Sequence, residues 1–361
     1  MAPISPEDAA FGAMLGAFVG DATGAVLEFD ERHICPETVE WALTMPGGGV
    51  WGVGPGQITD DSELAMALAA GLSQHDPSAG FPEEDVARKY GAWLESHPFD
   101  VGNTCRTAFS AASHHTDAAG PLAQVMRSQA QFSRDSKSNG SLMRITPLAV
   151  WGCRLSDKLL AEAAMADAKL SHPNVVTQHA NAIYCIAIKH LIARQTDADG
   201  AIKAARSWAQ DHACDEVRGW LEAALGDGSG PAADRMMGFV RYGFFYAFRH
   251  LKLRTPYQDA IREVLLLKGD TDTNAAIVGG VLGALHGASG IPAHMAQAVL
   301  GRLGQVDLKG PKRPEWLQPG RLPEIFAELY GRATGMQVDV SALPWVPVAT
   351  VQGSRFDESS S

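Results

Sequence analysis

An all-α fold is the class this chain predicts, on three observations. Ala- and Leu-rich segments repeat apolar residues at spacings of three and four along most of the 361 residues, the pattern of helices with a buried face. Strand-like alternation is confined to two short stretches, "GVWGV" (49–53) and "MQVDVSALPWVPVATV" (336–351). Glycine recurs every fourth residue in two places, at Gly12, Gly16, Gly20 and Gly24 and again at Gly279, Gly283 and Gly287. Positions i and i+4 share a helix face, so each series makes a smooth stripe.

Taken in chain order, the periodicity predicts helices over 9–24, 60–72, 83–96, 156–170, 174–194, 201–212, 215–225, 256–267 and 323–333. Further helices are expected at "TCRTAFSAAS" (104–113), after "SNGSLMR" (138–144) and after "KGDTDT" (268–273). A glycine inside a helix costs about 1 kcal/mol relative to alanine, so a whole stripe needs a packing reason. The likeness of "GAMLGAFVG" (12–20) to "GGVLGALHG" (279–287) predicts that two such helices press their backbones together as a central pair. No linker divides the chain, which predicts one domain over 1–350 and a disordered tail over 351–361. "LGDGSGPAADR" (225–235) reads as a loop within the helical set, and "LKGPKRPEWLQPGRLP" (308–323) as an excursion over the surface.

Composition narrows the function classes. With 41 acidic and 30 basic residues, the net charge is -11. That balance argues against a nucleic-acid surface, which needs Lys and Arg; it suits small ligands or bound cations. The five cysteines are scattered with no CxxC pair, which points to reduced thiols in a cytoplasmic protein rather than a disulfide framework or a zinc cage. No signal-peptide pattern opens the chain. The apolar run at 275–290 is too short and too rich in small residues to span a bilayer.

Two acidic clusters stand out. "GQITDDSELA" (56–65) carries Thr59, Asp60 and Asp61, and "KGDTDTNAA" (268–276) carries Asp270, Asp272 and Thr273, each just before an apolar helix. Asp and Thr are good helix caps, yet one cap per helix suffices and each cluster offers two carboxylates plus hydroxyls. Such hard oxygen ligands, without His or Cys, suit Mg²⁺, Mn²⁺ or Ca²⁺. Capping and metal ligation both remain open on these residues alone.

The segments "GAFVGDATGAVLEF", "GQITDDSELAMALA", "HPFDVGNTCRTAF", "SNGSLMRITPLAV", "SHPN" and "GDTDTNAAIVGGVLGALHG" together resemble, in order and spacing, the ADP-ribosylglycohydrolase family, over roughly residues 8 to 290. The resemblance implies a compact, orthogonal multi-helix fold around a central binuclear metal site holding two Mg²⁺ ions, or Mn²⁺. It implies Thr59, Asp60, Asp61, Asp270, Asp272 and Thr273 as metal ligands, with Ser62 where the family often has Thr. The activity implied is hydrolysis of the bond between ADP-ribose and a protein side chain, Asp61 contributing to catalysis with Glu28 and Asp100. Glu28 is placed near the scissile bond as base, water-positioner or gate. Asp100 can pair with a guanidinium leaving group; with Asn103 it favours ADP-ribosylarginine over ADP-ribosylserine. Ser138, Asn139, Gly140 and Ser141 would cradle the pyrophosphate, and His172 would lie near the distal part of the ligand. Adenine usually needs an aromatic face, for which Phe132, Tyr242 and Phe245 are candidates. The His114–His115 pair shows no ligand spacing. Expected partners are an ADP-ribosylated protein and a cognate transferase or toxin, the latter also allowing an immunity protein that acts by occlusion; a monomer is expected.

Overall fold

The computed structural model describes residues 3–30, 33–113, 121–194, 196–233, 235–302 and 310–346. The His114–His115 pair and the tail over 351–361 lie outside the described residues. Sixteen α-helices run through the described residues: α1 (Pro6–Gly24), α2 (Pro36–Ala42), α3 (Asp60–Leu72), α4 (Glu83–Glu95), α5 (Asn103–Ser113), α6 (Leu122–Ala130), α7 (Thr146–Trp151), α8 (Asp157–Lys169), α9 (Val175–Ala193), α10 (Ala198–His212), α11 (Asp215–Leu225), α12 (Arg241–Leu253), α13 (Tyr257–Leu266), α14 (Thr271–His286), α15 (Ala293–Leu300) and α16 (Leu322–Thr334). Among these residues there is no strand. "GVWGV" holds only an isolated bridge between Gly48 and Val53, and the described part of the 336–351 stretch contributes only a short 3₁₀ turn, Val340–Ala342. No helix among the described residues is long and apolar enough to cross a membrane.

The expected central pair is α1 against α14. Ser5 caps α1 by accepting from the Asp8 N–H, and the helix is buried without interruption from Ala9 to Gly24. The α14 helix is buried from Thr271 to Leu285. The glycine stripes explain how two such helices meet. A Cβ added at Gly12 would lie 2.3 Å from the Gly283 carbonyl oxygen, one at Gly16 2.3 Å from that of Gly279, and one at Gly20 2.2 Å from that of Ala275. No side chain fits between these backbones. Around the pair, α9, α12 and α13 pack on α14, and α3, α7, α15 and α16 pack on α1. The buried apolar side chains form one cluster reaching from Ala9 to Leu343.

Four helices escape the periodicity reading. Three of them, α2, α6 and α15, have 7, 9 and 8 residues, too few for a 3.6-residue period to show over an 11-residue window. The fourth, α12, reads "RYGFFYAFRHLKL"; its aromatic residues are middling helix formers, and packing of Phe244, Phe245 and Phe248, all at or near zero exposure, supplies the stability.

Candidate metal centre and ligand pocket

The two acidic clusters come together at the N-terminal turns of α3 and α14. Thr59 is the extended N-cap residue of α3, but its side chain makes no capping bond, and Asp270, the N-cap residue of α14, makes none either. The α3 cap comes instead from α1. Asp21, fully buried, accepts from the Thr59 N–H at 3.1 Å, from the Thr59 hydroxyl at 2.9 Å and from the Ser62 N–H at 3.1 Å. Capping therefore does not explain Asp60 and Asp61.

Asp21, Asp61 and Asp272 form one group, and Glu28, Asp270 and Asp272 a second; in each, one carboxylate oxygen per residue lies within 4.8 Å of the others. Asp272 belongs to both, so the two groups adjoin. The Thr59 hydroxyl sits 3.1 Å from Asp61 Oδ2 and 3.4 Å from Asp272 Oδ2. Asp61 Oδ1 is buried with no hydrogen-bond partner, a costly arrangement for an anion unless something else satisfies it. Among the described residues none of these carboxylates forms an ion pair; the buried pairs present, Arg144–Asp167 and Arg313–Glu63, lie elsewhere. An all-oxygen set of this charge fits hard divalent cations.

Electrostatics agree. Burial, reinforced by mutual repulsion, pushes Asp60, Asp61 and Asp272 well above the usual carboxylate range. Burial pushes Asp21 up to about 7, against the hydrogen bonds it accepts. Burial and the nearby Asp100 and Asp270 push Glu28 up to about 8, and Asp100 is pushed up to about 6 by burial and Asp270.

A pocket of about 430 Å³ opens above the carboxylates. Glu28, Asp60, Asp100, Asp270, Asp272 and Thr273 line it, as do Asn103, Ser138, Asn139, Gly140 and His172. Thr59 and Asp61 lie buried beneath. Asp60 accepts from the Gly102 N–H at 3.3 Å, tying the Asp100 loop to α3. The Trp51 indole donates to Glu28 at 2.7 Å and fixes its direction. Asn139 donates to Asp270 at 2.8 Å, linking the "SNGS" turn to the second acidic group. His172 is fully buried, with Nδ1 2.8 Å from the Ser171 hydroxyl and Nε2 2.9 Å from that of Ser138; burial and the Arg144 charge hold it neutral. A Cβ at Gly140 would sit 3.0 Å from the His172 ring and 3.2 Å from the Cys105 sulfur, a tight fit.

Several expectations need correction. Ser141 does not line the pocket: it is fully buried and accepts from the Asn181 amide at 2.9 Å. None of Phe132, Tyr242 and Phe245 lines it either. Phe132 stands 81% exposed, the Tyr242 hydroxyl is committed to the Arg235 carbonyl, and Phe245 is buried under the Arg249 guanidinium. The aromatic side chain that lines the pocket is Phe29. The 308–323 segment is not merely a surface excursion. Its Arg313, with a side chain 5% exposed, grips Glu63 through two bonds of 2.7 and 3.0 Å and donates to the Ser96 and His97 carbonyls.

Two residues were missed. Asp21 is flagged in hindsight by being the one charged residue within 9–24, since unpaired charges are almost never buried in a helix core without a role. Arg144, the last residue of "SNGSLMR", is fully buried. It pairs with Asp167, donates to the Gly140 carbonyl at 3.1 Å and the Ser171 hydroxyl at 2.8 Å, and stacks 4.5 Å from the Tyr90 ring centroid. It holds the turn and the His172 segment of the pocket wall from behind.

Comparison with known proteins places this geometry. The ADP-ribosylglycohydrolase family model matches residues 2–332. The chain is 28% identical over 306 residues to the ADP-ribosyl-(dinitrogen reductase) glycohydrolase of Rhodospirillum rubrum, covering 84% of this chain and 92% of that protein. It is 26% identical over 314 residues to the ADP-ribosylarginine hydrolase Tri1 of Pseudomonas putida, covering 82% of this chain and 76% of that protein. A solved structure described as an ADP-ribosylglycohydrolase-related protein complex superposes with a TM-score of 0.68 at 22% identity, covering 91% of this chain and 99% of that one; this shows a shared fold.

Proposed function

The chain belongs to the ADP-ribosylglycohydrolase family, and on that premise we propose that it is a metal-dependent hydrolase releasing ADP-ribose from ADP-ribosylated arginine on a protein. One observation carries the proposal: two carboxylate groups sharing Asp272 form the floor of a pocket that also presents Asp100. The names of the two bacterial relatives support the substrate class.

Mg²⁺ or Mn²⁺, when bound, would supply positive charge for the vicinal ribose hydroxyls and for acidifying water. The chain's own residues do the rest. Thr59, Asp60, Asp61, Asp270, Asp272 and Thr273 would hold the cations, with Asp21 supporting Thr59 and adjoining Asp61 and Asp272. Cleavage of the bond between the anomeric carbon and the guanidine nitrogen builds oxocarbenium character, which the acidic floor stabilises. Water adds its hydroxyl to the carbon, and its proton ends on the departing nitrogen. Glu28, aimed by Trp51, would give up its own proton once cations lie beside it, and is then placed to orient that water and take its proton. Asp100 pairs with the guanidinium and keeps the leaving nitrogen in line. Ser138, Asn139 and Gly140 face the pyrophosphate, and neutral His172 orients Ser138.

The test is release of ADP-ribose from arginine-linked and serine-linked conjugates, side by side, with Mg²⁺. Arginine-linked substrate turns over, Asp272→Ala abolishes turnover, and Asp100→Asn loses turnover while still binding ADP-ribose. Full activity in Asp272→Ala removes the metal assignment, and preference for the serine conjugate removes the arginine specificity.

A further inference from the structure

The pocket has an acidic floor and, along part of its mouth, exposed apolar side chains. Phe29, 53% exposed, and Met237, 43% exposed, both line it. Their neighbourhood is apolar too. Val50 is 62% exposed and precedes Trp51; Met236 is 70% exposed and precedes Met237. Trp51 packs edge-on against Phe29 at 6.0 Å and Phe99 at 5.9 Å, so an aromatic ladder runs across the loops that carry Glu28 and Asp100. Two of the rim residues also sit in left-handed backbone, Phe29 at φ 59° and Met236 at φ 58°. That conformation is unfavourable for a non-glycine residue, and such strain collects at ligand clamps.

We propose that this rim is the docking surface for the polypeptide that carries the ADP-ribosyl group, and that it seats apolar residues flanking the modified arginine. The proposal rests on the hydrolase reading above. An arginine can place its guanidine at Asp100 only if its own backbone lies across the mouth, so the flanking residues meet Phe29, Val50, Met236 and Met237. The charge pattern selects the occupant. The floor attracts a cation, the chain as a whole carries -11, and acidic flanks are repelled while charged flanks of either sign lose hydration against the apolar rim.

The experiment compares free ADP-ribosylarginine with two peptides, one carrying ADP-ribosylarginine between leucines and one between glutamates. In the wild-type protein the leucine-flanked peptide has a KM about tenfold below both others. The double variant Val50→Ser/Met236→Ser changes two exposed positions outside the pocket lining; it removes most of that advantage and leaves kcat and KM for free ADP-ribosylarginine unchanged. Equal KM values for all three substrates, or an equal loss on the free compound, overturns the docking surface alone. Wild-type turnover of none of the three overturns the hydrolase reading, and the docking surface with it.

Discussion

Gly283→Ala and Gly219→Ala make the same chemical change in two helices and should move stability in opposite directions. At Gly219, on the exposed side of α11, an added Cβ meets nothing within 4 Å. Alanine there gains about 0.5–1 kcal/mol from helix propensity and the stiffer unfolded chain. At Gly283 the Cβ would lie 1.9 Å from the Gly12 carbonyl oxygen and 3.1 Å from the Gly16 Cα. Ordinary contact begins at 3.4 Å, so α14 and α1 must part by about 1.5 Å, and the obstacle is backbone, which cannot swing aside. Overpacking a core typically costs about 1–3 kcal/mol; here the upper end applies, because every apolar contact along the pair loosens. Asp272 rides on α14 and Asp21 on α1, so the carboxylate groups should widen as well. Urea denaturation of the two variants should differ by about 3–4 kcal/mol, and calorimetric Mg²⁺ titration should weaken only for Gly283→Ala. Equal stabilities, or unchanged metal affinity in a destabilised Gly283→Ala protein, would refute the link between helix spacing and metal geometry.

Three further outcomes follow from the site. In chelator, stability should fall as pH rises from about 4.5 to 8. Asp21 and Glu28 have folded-state pKa values raised to about 7 and about 8, so the unfolded chain releases its protons first and the folded state is penalised across that window; saturating Mg²⁺ should flatten the slope of urea midpoint against pH, and a slope of the opposite sign would contradict the burial of these acids. Asp21→Asn keeps the shape but removes the charge and one of the two acceptor oxygens beside Thr59 and Asp61, and should weaken Mg²⁺ binding by about 10–100-fold, read by calorimetry. Arg313→Met leaves Glu63 buried without its cation and should cost about 3–5 kcal/mol in urea denaturation, with faster amide exchange over 97–102 than elsewhere; exchange that rises uniformly would deny Arg313 its hold on the Asp100 loop.

Much of this was legible in the linear chain. Glycine every fourth residue predicted close backbone contact because the stripe has no other physical reason, and α1 and α14 meet along it. The acidic clusters could be read as ligands or caps, and only tertiary structure separates these, since Asp21 arrives from another helix to do the capping. For Asp21 the sequence offers only its isolation in an apolar helix, which marks it as unusual without saying which residues it meets. Ser141 departs from its expected place for a related reason: four consecutive residues of a turn cannot all face one ligand, and Asn181 on α9 takes the fourth. Aromatic composition says nothing about direction: Phe132, Tyr242 and Phe245 point elsewhere, whereas Phe29 lines the pocket where the chain turns left-handed just after Glu28.

The pairing of α1 with α14 has a consequence for synthesis. These helices lie about 250 residues apart, and α1 has no polar face between Ala9 and Gly24. At about 5–20 residues per second, the ribosome delivers α14 tens of seconds after α1. Through that interval a largely apolar helix, with Asp21 embedded in it, waits without the surface it was shaped for. Arg313, which neutralises Glu63, emerges later still. The acidic floor is therefore completed only once α14 has appeared, and a nascent protein that stalls before α14 offers chaperones and proteases a distinctive target.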